Sequence, residues 1–87
     1  MKTAHVIKYG TYTPAAKQAV YRLDPPYCGE KIVFVSGVNK PLVHEVMMFA
    51  SDEDGNVNDW CELECVRDTT THSDLFDLIG YSIVDET

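Results

Sequence analysis

Asp52, Asp54, Asn56 and Asn58 stand at alternate positions in FASDEDGNVNDWCEL, Phe49 to Leu63, and such oxygen-rich runs can ligate Ca²⁺. The register works against a calcium loop. Counted from Asp52, Val57 falls where an EF-hand requires glycine, and Leu63 falls where it requires a bidentate Glu. The same residues suit a charged turn, because Asp, Asn and Gly tolerate the backbone of a sharp reversal between apolar runs. A hairpin-type connection bearing Asp52, Glu53 and Asp54 is therefore expected here.

Cys28, Cys61 and Cys65, with one of His5, His44 or His72, would supply enough ligands for zinc. Cys61 and Cys65 can share a side of either a strand or a helix. Yet no C-x₂-C pair is present, and free cysteine is commonly a buried packing residue, so packing is the expected role. A Cys-His nucleophile drawn from the same residues lacks any local signature, and P-loop, GxGxxG and GxSxG motifs are absent. The expectation is no catalytic residue, no metal and no cofactor.

Trp60, the only tryptophan, admits two readings. In so small a domain a core anchor is favoured. But Asp59, Glu62 and Glu64 crowd it with carboxylates, with Asp68 close behind, and an aromatic among acids can recognise Arg and Lys side chains. Met47 and Met48 read as packing residues.

Charge points the same way. The net charge is −7. Before residue 45, Lys2, Lys8, Lys17, Arg22, Lys31 and Lys40 face only Asp24 and Glu30; from Glu45 onward Arg67 is the lone cation. If the fold keeps the two halves on different faces, the surface is polarised. Acidity also keeps a small protein in solution. Direct nucleic-acid binding is disfavoured, since a phosphate-binding face needs clustered Lys and Arg.

The elements that position these residues follow from periodicity. Thr3 to Tyr9 alternates as a strand ended by Gly10. The next segment has two readings: a helix capped by Thr13 with Pro14 in its first turn, or a strand from Gln18 to Leu23 stopped by Asp24-Pro25-Pro26, which is preferred. Lys31 to Val38 is an unbroken β-branched and aromatic run, expected as a central strand. After an Asn39-Lys40-Pro41 turn, Leu42 to Ala50 alternates as the next strand. Cys61 to Val66 reads as a short strand or an irregular edge. Asp74 to Ile79 reads as a short helix capped by Thr71 or Ser73 and stopped by Gly80, and Tyr81 to Val84 reads as a final strand.

These elements make a single α+β domain over residues 1–87: an antiparallel sheet of four to five strands with one short C-terminal helix packed on one face. A core of this size gives modest stability, which dimerisation or a partner would raise. The odd cysteine count, the lack of a leader pattern and the lack of an apolar span lead us to expect reduced thiols and a cytoplasmic protein with no membrane partner.

Read from Leu23-Asp24-Pro25-Pro26 through the VSGV strand and the acidic turn to His72-Ser73-Asp74-Leu75 and Gly80-Tyr81-Ser82-Ile83-Val84, the order of motifs resembles a group of small phage and prophage proteins. That group includes inhibitors of type I CRISPR surveillance complexes, type I-C among them. The resemblance covers about Leu23 to Val84, with Glu64-Cys65-Val66 replacing a Gly-containing segment and Lys40 to Val43 replacing a Gly/Pro turn. It implies a phage-encoded anti-CRISPR protein in the bacterial host cytoplasm. Such a protein would act as a DNA mimic, binding the basic DNA channel of a surveillance-complex subunit through Asp52, Glu53, Asp54, Asp59, Trp60, Glu62, Glu64 and Asp68. The alternative is a phage structural or assembly protein that self-associates through a strand edge.

Overall fold

The structure is a computed structural model that describes residues 1–57 and 60–84. Runs rich in Val, Ile, Tyr and Phe make four long strands: β1 (Thr3–Tyr12), β2 (Ala16–Tyr27), β3 (Glu30–Lys40) and β4 (Val43–Ala50). A short β5 (Glu64–Arg67), a helix α1 (His72–Ile79) and β6 (Ser82–Val84) complete the described chain. β1 to β5 form an antiparallel meander. α1 then carries the chain back across one face, and β6 joins the outer edge of β1 in parallel, giving the order β5-β4-β3-β2-β1-β6. The expected α+β character holds. The strand number and the all-antiparallel arrangement do not, because β6 reaches β1 only through the helix.

Local chemistry sets the connections. Cys28 and Gly29 both take positive φ, 52° and 80°, as a two-residue type I′ hairpin requires, and Tyr27 pairs with Glu30 across it. β2 thus runs past Arg22 and through Asp24-Pro25-Pro26 instead of stopping there; the Asp24-Pro25 bond is cis and the pairing is irregular between Arg22 and Tyr27. The helix reading of residues 14–23 gives way to strand because Tyr21 and Leu23 meet the core on one side while Val20 is covered on the other. α1 starts after Thr71, whose hydroxyl donates to Asp74 Oδ2 at 2.6 Å; the Thr69 hydroxyl donates to the same oxygen. Gly80, at φ 81°, closes the helix.

The core lies between the sheet and α1. Ala4, Val6, Ala19, Tyr21, Leu23, Val33, Val35, Val46 and Met48 project from the strands onto Leu75, Phe76 and Tyr81. Each fully buried large side chain contributes roughly 1.5–3 kcal/mol. A histidine sits among them. His72 Nε2 donates to the Lys17 carbonyl at 2.9 Å, so in the neutral ring Nδ1 is the acceptor and receives a hydrogen bond from the Tyr21 hydroxyl at 2.6 Å. Burial, the main cause, holds the His72 pKa below its ordinary value and keeps the ring neutral. β3 passes close under the segment before α1: a side chain at Gly37 would collide with the Thr70 carbonyl. No helix among the described residues is long and apolar enough to cross a membrane.

Candidate functional site

The sheet's other face is covered by the chain between β4 and β5. Its acidic turn is built around Asp52. Asp52 Oδ1 accepts the backbone N–H groups of Asp54 and Asn56, both at 2.9 Å, and Oδ2 accepts Asn56 Nδ2 at 3.2 Å. Those donors, the Asn56 N–H first, hold the Asp52 carboxyl below the usual range. The turn is fastened to the sheet at two points. Lys8 Nζ donates to the Asp54 carbonyl at 3.1 Å, and Gly55, at φ 87°, lies so close to Val20 that a Cβ would stand 3.0 Å from its methyl.

After Val57, Trp60 comes next among the described residues. Its ring meets Phe49 edge-on at 5.0 Å between centroids and Phe34 at 6.3 Å, yet it remains 66% exposed. The favoured core reading therefore fails. Phe34 and Phe49 brace the Trp60 ring through edge contacts, and most of the tryptophan stays in water. Val20 pairs opposite Phe34, so Gly55 and Trp60 press on neighbouring residues, and the acidic turn and the tryptophan occupy one patch.

The expected contact residues divide. Exposed Asp52, Glu53, Asp54, Trp60 and Glu62 share the loop-covered face. Glu64 points to the helix-covered side of β5, where the Tyr27 hydroxyl donates to it at 3.2 Å. Asp68 lies beyond the far end of β5, its N–H donating to the His44 carbonyl. That is about 20 Å along β4 from the turn, taking ~3.3 Å per residue. Asp59 lies outside the described residues. Nor do the halves of the sequence segregate by charge: Glu53 shares a cavity of about 360 Å³ with Arg22 and Lys31 of β2 and β3. The patch is acidic at its rim and basic at its root.

The thiols do not gather with the imidazoles. Cys28 and Cys61 are exposed, against the packing expectation, and Cys65 is half-buried. Burial, then the Glu62 and Glu45 carboxylates, push the Cys65 thiol up, which disfavours the nucleophilic thiolate. His44 is exposed, His5 bonds Thr3 and His72 is buried in the helix-side core. Among the described residues no group of three or more His, Cys, Asp or Glu side chains is placed to hold a metal ion. The Tyr21–His72 pair escapes sequence reasoning altogether, because no local pattern links residues of β2 and α1. Comparison with protein-family models, with curated proteins and with solved structures finds no match.

Proposed function

We propose that the protein acts by binding a basic protein surface through Trp60 and the carboxylates of Glu53, Asp54 and Glu62. The observation that carries this reading is a tryptophan left 66% exposed while its other side is braced on Phe49 and Phe34. A large aromatic already held in place loses little freedom on binding, and it stacks well with Arg guanidinium groups. Glu53, Asp54 and Glu62 then add charge-assisted hydrogen bonds at the rim. Asp52 acts differently. Its carboxylate organises the turn, so a triple Asp52, Glu53 and Asp54 substitution would mix lost contacts with a disordered loop.

With the family resemblance, the favoured partner is a type I CRISPR surveillance complex of the bacterial host. The mode is occupation of its Lys- and Arg-lined DNA channel. Self-association through the outer edges of the sheet has less support, because β5 and β6 are only four and three residues long. The deciding experiment is binding of the purified protein to a type I surveillance complex, with and without target DNA. Binding that target DNA prevents, that weakens as salt rises and that Trp60→Ala or Glu53→Gln/Asp54→Asn reduces at least tenfold, roughly, is the expected result. Binding unaffected by target DNA removes the DNA-mimic mode; no binding at low salt removes this partner.

A further inference from the structure

A groove runs beside the Trp60 patch. Ile7, Arg22 and Ile32, from the adjacent strands β1, β2 and β3, line its floor, and Glu53 and Asp54 of the acidic turn line its wall. It consists of two cavities of about 350 Å³ and about 360 Å³, and Arg22, Ile32 and Glu53 belong to both. The larger one lies where β2 and β3 lose register, between Arg22 and Tyr27, and reaches Asp24 and Lys31. A volume of ~150 Å³ holds a benzene ring, so each cavity has room for a side chain. Groove and patch are neighbours. Arg22 pairs with Ile32 as Val20 pairs with Phe34, and Ile32 and Phe34 are two residues apart on β3, about 7 Å.

Arg22 is exposed, and among the described residues no ion pair joins it to a carboxylate. A partner that seats on Trp60 and reaches Glu53 also covers Arg22, because the two residues share both cavities. Were Glu53 to turn inward as the counter-charge, it would be lost to the partner. Were nothing to pair with it, a cation would be covered unpaired, which is strongly unfavourable. An unbroken field of Lys and Arg would meet like charge here.

We propose that the partner's contact segment carries both charge signs: an Arg against Trp60 and, two residues along an extended chain, an Asp or Glu whose carboxylate enters the groove to meet Arg22. Glu53 and Asp54 are then left to cations at the rim. Asp24 balances Lys31 at the far end, and the acidic turn repels a carboxylate from the wall, so its place is on the floor at Arg22. This inference rests on the Trp60 reading and narrows it. On a basic surface it selects a place where an acid stands beside an arginine, so that Trp60 supplies affinity and Arg22 supplies discrimination.

The test is a titration of the ¹⁵N-labelled full chain with three capped peptides, Gly-Arg-Thr-Xaa-Gly, in which Xaa is Glu, Gln or Lys. Arg and Xaa then lie on one side of an extended chain, about 7 Å apart. The expected order of affinity is Glu, then Gln, then Lys, with each step about threefold and a Kd at or below about 1 mM for the Glu peptide. Shifts should appear at the Trp60 indole and at the Arg22 and Ile32 amides. Arg22→Glu should invert the order, and a gain of binding by the Lys peptide separates changed charge complementarity from lost folding. Equal affinities, a wild-type preference for the Lys peptide, or shifts confined to Trp60 would overturn this inference and leave the Trp60 patch standing as a binder of cations. A Trp60 indole unmoved by all three peptides at about 1 mM would overturn both.

Discussion

The two faces of one sheet are closed in different ways. On one side α1 lays Leu75 and Phe76 onto Val33, Val35, Val46 and Met48, all fully buried, and the polar atoms of His72 are both hydrogen-bonded. On the other side a loop rests on the sheet at Val20, Phe34 and Phe49, and its largest side chain stays mostly in water. The first closure removes apolar surface from water and carries stability. The second holds a display surface without burying it. A small domain can do both because the sheet is shared: side chains alternate, so β3 and β4 send Val33, Val35, Val46 and Met48 to the helix and Phe34 and Phe49 to the loop.

Truncation at each face should separate these roles. Phe76→Ala removes a fully buried ring against Tyr21 and Tyr81 and should cost about 3–5 kcal/mol, a large share of the ~5–15 kcal/mol a domain possesses. Its denaturant midpoint should collapse; a midpoint within a few tenths of a molar of wild type would refute the division. Tyr21→Phe comes next. It leaves His72 Nδ1 without its donor in the core, at about 1–3 kcal/mol, read in the same unfolding curves. Trp60→Ala should cost less, under roughly 1.5 kcal/mol, because most of the ring is already solvated, while partner binding falls sharply. A Trp60 variant as unstable as Phe76→Ala would make the loop face a second core.

This asymmetry also divides what the sequence discloses from what it conceals. β3, β4 and α1 are legible because the Lys31 to Val38 run, the alternation before Ala50 and the Gly80 stop are local signals. β2 is only half legible. Ala and Lys after Pro14 favour a helix in isolation, and burial on both faces of the sheet overrides them. The Cys28-Gly29 hairpin is missed in favour of a stop at Asp24-Pro25-Pro26, because Cys28 at positive φ has no strong sequence signature. The parallel addition of β6 to β1 depends on where α1 delivers the chain, which no pattern in Ser82 to Val84 encodes. At the candidate site, the charged turn was legible, but its folding back onto Lys8 and Val20 was not, and that folding leaves Glu64 and Asp68 outside the patch.

The smallest expected effect uses acid to loosen the two faces at different pH. Burial keeps His72 below its ordinary value, so the unfolded chain binds this proton more readily than the folded one. Its contribution is complete above about pH 6.5 and declines as the pH falls below that. Asp52 has its folded value lowered by the Asn56, Asp54 and Gly55 N–H donors; its contribution is complete above about pH 4 and is lost as the pH falls through the lower folded value. Unfolding midpoints measured from pH 8 downward should therefore begin to drop near pH 6.5. Trp60 fluorescence in the folded protein, which reports the loop, should hold steady until about pH 4. His72→Gln should remove the first decline and leave the second. If Trp60 fluorescence instead changes together with the first decline, the turn is coupled to the helix-side core, and the sheet does not separate its two faces.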